Sequence, residues 1–302
     1  MAVIVGVLEF QNASTQSGVK DAINSVPPLA PAPSHPSPKW IRAIEKQMTQ
    51  LIEFQIDSRF NGPPNSGNGG YVAGKIAEIV GGPCEVTLRK PPPLDKTLIL
   101  RRIDEGSEVL SDDTLIATVT SSPPFENNLE PIGYNSATAA AVEGLERRLE
   151  SDIFTTCFVC GPDRNAGDGL RLFAGMPPGN QIDGHLKPVA AAWKPFANLS
   201  SNGQTIDEAY IWAAMDCPSA AAINNTGDET KEPIACLLGR FKNTVYKAPK
   251  VDEHCAVVAQ MDYQEGRKIF CNVSLFGGQG DLLAAGRTTW IAVEDISAFG
   301  AN

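Results

Sequence analysis

Residues 205–223 read TIDEAYIWAAMDCPSAAAI, a stretch that predicts one helix with an apolar stripe. Four apolar, strand-like runs follow this helix, at 234–246, 255–263, 268–276 and 282–294. One helix followed by consecutive antiparallel strands is an α+β pattern, whereas strands that alternate with helices would indicate a parallel sheet. The stretch therefore predicts a sheet that covers the helix on one face.

The first half of the chain shows the same order of elements. A short strand is predicted at 51–56, and a loop rich in Gly, Pro and Asn separates it from a helix predicted over 71–80. The Gly-Gly-Pro sequence at 81–83 ends that helix, because glycine and proline are stop signals. Further strands are predicted at 84–90, 97–103, 108–110 and 114–120.

Two six-residue words occupy the same place in the two halves. KPPPLD at 90–95 and KAPKVD at 247–252 match at Lys, Pro, the aliphatic position and Asp, with a constant offset of 157 residues. Because the matching words also follow the same elements, we predict a duplication. The first repeat is placed at residues 50–120 and the second at 151–302.

The remaining segments complete the predicted organisation. Residues 1–49 hold a short apolar strand followed by a proline-rich strap, which cannot be a helix or a central strand. Residues 121–150 form a linker, in which the Ala-rich stretch 136–149 predicts a connecting helix. Two shorter strand-like runs precede the second helix, at 169–174 and 188–193.

Composition and charge exclude several classes of protein. The 302 residues carry a net charge of −10, which argues against binding to nucleic-acid phosphates. A membrane span needs about 20 consecutive apolar residues, and no run in the sequence approaches that length. The first ten residues lack the basic region of a signal peptide. The seven cysteines are odd in number and lie mostly in apolar runs, so we expect buried free thiols in a reducing, cytoplasmic setting.

Five short stretches of sequence, in three places along the fold, resemble a known family. CFVCGP at 157–162 with GLRLF at 169–173 is similar to the opening of many hotdog thioesterase-like domains. WAAMDC at 212–217 resembles the helix of double-hotdog acyl-CoA thioesterases, which carries a catalytic Asp late in the helix. FNG at 60–62 followed by GGY at 69–71 resembles the Gly-Gly start of the helix in the first repeat. The resemblance implies an α+β double hotdog with an acyl-thioester substrate.

Asp216 is the main catalytic candidate. Thr205 and Glu208 have the spacing of a capping box, which predicts the start of the helix. Asp216 is the one acid on the predicted apolar stripe formed by Ala209, Trp212, Ala213, Ala220 and Ile223. Burial would raise the pKa of this carboxyl towards values useful to a general base. Because Pro218 lacks an N–H, we expect a kink or an end of the helix there, and Asp216 as a cap of that broken helix is the alternative.

A second catalytic candidate depends on the resemblance alone. In the resembling thioesterases the Asp acts together with a Thr and a Gln from neighbouring strands. Our placement of the strands puts Leu238 at the position of the Thr and Thr288 at the position of the Gln. The sequence departs from the family pattern at both positions, and Thr288 is retained as the polar candidate. A shift of register by a few residues would place Thr244 or Gln279 nearby, so these two stay open as alternatives.

Four further residues are predicted to contact the substrate. Gly69 and Gly70 at the start of a helix would allow a thioester carbonyl to approach bare N–H groups, where the helix dipole favours oxyanion charge. A plain loop that uses Gly for its backbone freedom is the alternative. Tyr71 and Trp212, which belong to the two resembling words, complete the predicted substrate site.

No metal or other cofactor is predicted. Cys157 and Cys160 have the spacing of a zinc knuckle, but zinc needs about four ligands and the sequence holds no second Cys-x-x-Cys. A tight structural turn is the preferred interpretation, without a disulfide between the two thiols. The Gly-x-Ser-x-Gly, Gly-x-Gly-x-x-Gly and Walker motifs are also absent from the sequence.

These observations favour an enzyme that hydrolyses an acyl-CoA or a related thioester, with Asp216 as base. Two alternatives stay open: a hotdog enzyme for dehydration, isomerisation or cyclisation of a natural-product intermediate, and a non-catalytic acyl-binding protein. The expected partner is a small apolar or acyl-thioester molecule, with neither nucleic acid nor a membrane. Assembly into a homo-oligomer is left open.

Overall fold

The structure is a computed structural model that describes residues 51–151, 153–179, 187–224, 232–296 and 299. The N-terminal strand and the proline-rich strap predicted for residues 1–49 lie outside the described residues.

The first repeat contains one helix and five strands among the described residues. They are β1 (Leu51–Gln55), α1 (Gly69–Val80), β2 (Cys84–Leu88), β3 (Thr97–Ile103), β4 (Gly106–Ser111) and β5 (Thr114–Ser121). The helix begins two residues before its predicted start because Asn68 caps it, with its Oδ1 accepting from the Tyr71 N–H at 2.9 Å. Gly81 ends it at φ 80°, a conformation that favours glycine.

A connecting helix and the second repeat follow. They are α2 (Tyr134–Leu149), β6 (Val189–Trp193), α3 (Glu208–Asn224), β7 (Cys236–Val245), β8 (Cys255–Glu265), β9 (Lys268–Phe276) and β10 (Leu282–Ala292). The connecting helix and the strands from 188 onwards match the sequence predictions to within a few residues. The predicted α+β class is confirmed.

The ten strands of the described residues form one antiparallel sheet in the order β1-β3-β4-β5-β2-β7-β10-β9-β8-β6. Counted from its outer edge, each half has the same order, with β6 in the place of β1 and β7 in the place of β2. The halves join where β2 pairs with β7, from Cys84 opposite Asn243 to Thr87 opposite Arg240. This pairing covers two strand edges that would otherwise expose unpaired N–H and C=O groups. The residue bounds of the two repeats stay a prediction.

Two local predictions in the second half are wrong. Residues 169–174 form no strand and make only isolated bridges nearby, and Arg171 has φ 54°, which interrupts an extended chain. The predicted capping box also fails, because α3 begins at Glu208 itself. Thr205 accepts instead from Asn202 Nδ2 at 2.9 Å, and the Glu208 carboxylate accepts from Trp212 Nε1 at 3.0 Å.

The predicted end of the helix at Pro218 is also absent, whereas the kink that was the other expectation there stays a prediction. Helix α3 continues past Pro218 to Asn224, although proline removes one helical hydrogen bond. Most side chains of α3 are buried, and they lie on all faces of the helix. Tertiary packing therefore stabilises a helix that the proline in its sequence would interrupt. None of the helices in the described residues is long and apolar enough to cross a membrane.

Candidate active site

The candidate site lies where the start of α1 meets the middle of α3. A Cβ atom at Gly70 would lie 2.4 Å from the Asp216 Cβ, and one at Gly74 would lie 2.6 Å from the Ala209 Cα. Both distances are far below van der Waals contact, so only glycine allows the two helices to pack this closely. The close packing brings the backbone of one repeat to the carboxylate of the other.

Asp216 is buried, with 2% of its surface exposed. Its Oδ2 accepts from Asn68 Nδ2 at 2.7 Å and from the Gly70 N–H at 3.1 Å, while Oδ1 has no hydrogen-bond partner in the described part of the chain. Burial raises the pKa of Asp216 to about 7, and the Gly70 hydrogen bond opposes that rise. A carboxylate with one oxygen held and the other without a protein partner is suited to accept a proton.

Asn68 joins the two helices and was not identified from the sequence. Its Oδ1 caps α1, and its Nδ2 orients the carboxylate of Asp216. An Asn directly before a Gly-Gly pair and an apolar run is a helix-cap signal, which the sequence did contain. Its contact with Asp216, 148 residues away, depends on tertiary structure.

A cavity of about 1580 Å³ opens beside Asp216 and is lined by residues of both repeats and of α2. Its apolar lining includes Leu88, Phe173, Ile234, Leu238, Trp290 and Ile291. Six cations also line it, at Arg89, Lys90, Arg147, Arg148, Lys187 and Arg267, together with four acids, at Glu143, Glu150, Asp216 and Glu232. The cavity thus offers apolar surface together with a small excess of positive charge in a chain whose net charge is −10.

The two predicted glycines differ in what their N–H groups can do. The Gly70 N–H is already bound to Asp216, so it is not the bare donor that the sequence predicted. Gly69 lines the cavity, and its N–H makes no hydrogen bond to any of the described residues. Gly69 is therefore the helix-start N–H that can meet a ligand, and Leu238 packs against it.

Tyr71 and Trp212 do not line this cavity, and their predicted contact with substrate stays a prediction. The Tyr71 ring stacks on the Phe60 ring, with ring centroids 4.0 Å apart. Tyr71 projects from a different face of α1 than Gly70, because successive residues of a helix point in different directions. The Trp212 ring packs against Phe241 at 4.8 Å. Both side chains belong to the core, where an aromatic ring buries a large apolar area.

Thr288 is fully buried behind α3 and does not line the cavity. Its hydroxyl donates to Ser219 Oγ at 3.0 Å and accepts from Trp290 Nε1 at 3.1 Å. Ser219 in turn donates to the Asp216 carbonyl at 2.7 Å. The structure therefore connects Thr288 to the backbone of α3 and not to the carboxylate, and its catalytic role stays a prediction.

Three thiols converge next to Asp216. The sulfurs of Cys157, Cys160 and Cys217 all lie within 4.8 Å of one another, and all three residues line the cavity. Thiol hydrogen bonds from Cys160 and Cys217 hold the pKa of Cys157 well below its ordinary value. The sequence prediction considered only Cys157 and Cys160, and the third thiol comes from α3, 57 residues beyond Cys160.

No family model matches this sequence, and no curated protein matches it. Solved structures do match. An acyl-CoA thioesterase II, TesB2, from Mycobacterium marinum has a TM-score of 0.53 at 9% identity, over 82% of this chain and 95% of that chain. A putative thioesterase from Novosphingobium aromaticivorans has a TM-score of 0.49 at 11% identity, over 81% and 96%. The likeness to the Mycobacterium marinum structure shows the fold, so the predicted double hotdog is confirmed.

Proposed function

We propose that this chain hydrolyses an acyl thioester, most simply an acyl-CoA, with Asp216 as the general base. The geometry of Asp216 carries the proposal. It is a buried carboxylate on the wall of a large cavity, with Oδ2 held by Asn68 and Gly70 and with Oδ1 unpartnered among the described residues. Leaving a buried carboxylate oxygen without a partner costs free energy unless the oxygen is used.

In the proposed reaction, Asp216 Oδ1 takes a proton from a water molecule in the cavity. The hydroxide oxygen forms a bond to the thioester carbonyl carbon, and the electron pair of the C=O bond moves to oxygen. When the carbonyl reforms, the C–S bond breaks, and the leaving thiolate takes up the proton held by Asp216. The products are a carboxylic acid and a free thiol, so no oxidant or reductant is needed.

Gly69 supports the oxyanion in this proposal. Its N–H is the first of α1, where the unpaired donors and the helix dipole favour negative charge. A donor aimed at developing charge is worth about 10²–10³ in rate where such donors have been removed. Gly69 and Asp216 both line the cavity, one from each repeat, so both can face one carbonyl group.

The lining of the cavity supports an acyl carrier with phosphate groups. Apolar side chains such as Leu238 and Trp290 suit an acyl chain, and the six lining cations, which outnumber the four lining acids, suit phosphate. If these cations bind phosphate, acyl-CoA should have a lower KM than the matching acyl-pantetheine, which lacks the nucleotide. Equal KM values for the two substrates would exclude this part of the proposal.

The experiment that tests the proposal measures thiol release from a panel of acyl-CoAs with a chromogenic thiol reagent. We expect turnover by the wild-type chain and loss of turnover in Asp216→Asn, with the fold retained by circular dichroism. Binding of acyl-CoA without release of thiol would instead indicate the acyl-binding protein. Full activity of Asp216→Asn would remove Asp216 from the reaction.

One observation favours a second function at the same site. The resemblance places a Thr where Leu238 stands, and the Leu238 side chain packs against Gly69 on the cavity wall. With fewer polar groups to hold water, Asp216 would instead abstract a proton from a substrate carbon, as in a dehydration or an isomerisation. Mass analysis of the products separates the functions, because these reactions leave the thioester intact.

A further inference from the structure

We infer that Cys157, Cys160 and Cys217 form a zinc site whose fourth position opens into the cavity. The first argument is convergence. Cys157 and Cys160 come from the turn before β6, whereas Cys217 comes from the middle of α3. Among the described residues they form one group of metal-ligating atoms, with all three sulfurs within 4.8 Å of one another.

The distance between the Cys157 and Cys217 sulfurs fits zinc better than a disulfide. Zinc–sulfur bonds of about 2.3 Å in a tetrahedron set sulfur–sulfur separations of about 3.8 Å. The Cys157 and Cys217 sulfurs are 3.8 Å apart. A disulfide needs a separation of about 2.05 Å and would use only two of the three thiols. All three cysteines are free in the structure.

The turn that carries Cys157 and Cys160 is tightly closed. The Gly161 N–H donates to the Cys157 carbonyl at 2.8 Å. A Cβ atom at Gly161 would lie 2.5 Å from that carbonyl oxygen, so the turn requires glycine. A turn that is closed in this way fixes the positions of the Cys157 and Cys160 thiols, and the outer partners of metal ligands fix their positions in the same sense.

One donor group approaches the cluster from Asn68, the residue that caps α1. Asn68 Nδ2 lies 4.0 Å from the Cys157 sulfur and 3.9 Å from the Cys217 sulfur, while it also donates to Asp216. The zinc site would therefore share Asn68 with the carboxylate. The bound ion would fasten the turn at 157–161 to α3 directly beside Asp216, and soft thiolates would select zinc over magnesium or calcium.

Three protein thiolates leave one tetrahedral position for a water molecule or a ligand atom. Cys157, Cys160 and Cys217 all line the cavity, so that position faces the space where a ligand would bind. This zinc site does not depend on the proposed hydrolysis, because its occupancy is measured without any substrate.

The test is the metal content of the full chain, purified under reducing conditions and measured by mass spectrometry of the elements. We expect about one zinc ion per chain in the wild type and less than about a tenth of that in Cys160→Ala and in Cys217→Ala. Cys236→Ala is the matched control, because Cys236 is a half-buried thiol that lines the same cavity but lies outside the cluster. This variant should keep its zinc.

Cobalt gives an independent readout of the ligands. When Co²⁺ replaces zinc in the wild type, we expect thiolate-to-cobalt charge-transfer bands and the intense visible bands of a tetrahedral site. Alkylation of the wild-type thiols tests the zinc site even if a cysteine variant fails to fold. Zinc should protect Cys157, Cys160 and Cys217 of the wild type from a thiol reagent, and a strong chelator should remove that protection.

Four results would overturn the zinc site. The first is a wild-type chain without bound metal even after incubation with zinc. The second is zinc retention in folded Cys217→Ala. The third is a Cys157–Cys217 disulfide, seen as a loss of two protons in the intact mass of reductant-free protein that takes up no zinc. Unchanged labelling of the three thiols with and without zinc would lead to the same conclusion.

Discussion

Helices α1 and α3 contact each other through two reciprocal hydrogen bonds that have very different surroundings. Glu78 of α1 accepts from the Ala209 N–H at the start of α3 at 2.9 Å. Asp216 of α3 accepts from the Gly70 N–H at the start of α1 at 3.1 Å. Each repeat thus places an acid on the first turn of the other helix, where the helix dipole favours negative charge.

The surroundings of the two acids differ. Glu78 pairs with Lys75 at 2.7 Å, and its side chain is 23% exposed. Asp216 is 2% exposed, and its neighbours are an amide, a backbone N–H and thiols. A carboxylate that is solvated and paired with a cation is a helix cap. The same contact, buried beside a cavity, is the one for which we propose a base. In this proposal each repeat has a capping acid, and only the buried one takes part in the reaction.

The sharpest test of this comparison exchanges the acid of each contact for its amide. Asp216→Asn should lower turnover of the acyl thioester by about 10²–10⁴, because it removes the proposed general base while keeping the side-chain shape. Glu78→Gln should leave turnover within about twofold and change the unfolding free energy by less than about 1 kcal/mol. Steady-state kinetics and urea unfolding measure the two effects. Similar losses in both variants would mean that the acids have equivalent roles.

The next largest effect is expected at the helix crossing. Gly70→Ala places a Cβ atom against Asp216, and overpacking of this kind costs about 1–3 kcal/mol of unfolding free energy. Turnover should fall as well, because the carboxylate must move from the Gly70 N–H. Gly133→Ala is the control, since Gly133 precedes α2 at φ −62° and no atom lies within 4 Å of its added Cβ. Equal stability of the two variants in urea unfolding would contradict the close packing at Gly70.

Asn68 allows its two roles, helix cap and partner of Asp216, to be separated. Asn68→Ala removes the cap of α1 and should lower the unfolding free energy by about 1 kcal/mol. Asn68→Asp keeps a good capping residue but places a second carboxylate beside Asp216, where the original amide donated at 2.7 Å. We therefore expect Asn68→Asp to lose more turnover than its change in unfolding free energy explains. If turnover and unfolding free energy fall in parallel in both variants, Asn68 acts only as a helix cap.

The smallest effect is expected at an ion pair that also joins the two halves. Arg59 Nε lies 3.2 Å from Asp168 Oδ1, and Arg164 Nη1 lies 2.9 Å from Asp168 Oδ2. The hydrogen bond from Arg164 holds the pKa of Asp168 below its ordinary value, and Arg59 adds to this effect. The pair therefore stabilises the fold above the ordinary carboxyl pKa, and this contribution is lost as the pH falls through the lowered pKa.

We expect Asp168→Asn to lower the thermal midpoint slightly at neutral pH. The cost should be in the range of about 0.2–1 kcal/mol, because Asp168 is 43% exposed and its charge is screened by solvent. The difference from the wild type should shrink as the pH approaches the lowered pKa. Thermal unfolding at a series of pH values measures this trend, and a constant difference at all pH values would assign it to packing.

The sequence by itself determined the order of elements, the α+β class and the duplication. Strand length and apolar patterning are local properties, so runs such as 255–263 and 268–276 predicted β8 and β9 closely. The burial of Asp216 also followed from its place on an apolar stripe. Local rules failed at Pro218 and at Thr205, where the packing of α3 and the loop around Asn202 override local propensity.

Only the tertiary structure decided which residues share the site. Asn68 meets Asp216 across 148 residues, and Cys217 meets Cys157 across 60 residues. Neither contact has a local signature, because both arise from the close packing of α1 on α3 and from the turn that folds over α3. Because of the same packing, the Gly70 N–H donates to Asp216, whereas Gly69 lines the cavity. The rings of Tyr71 and Trp212 pack in the core. Periodicity along one chain shows which face of a helix is buried, but the partner of that face is set by the other elements packed against it.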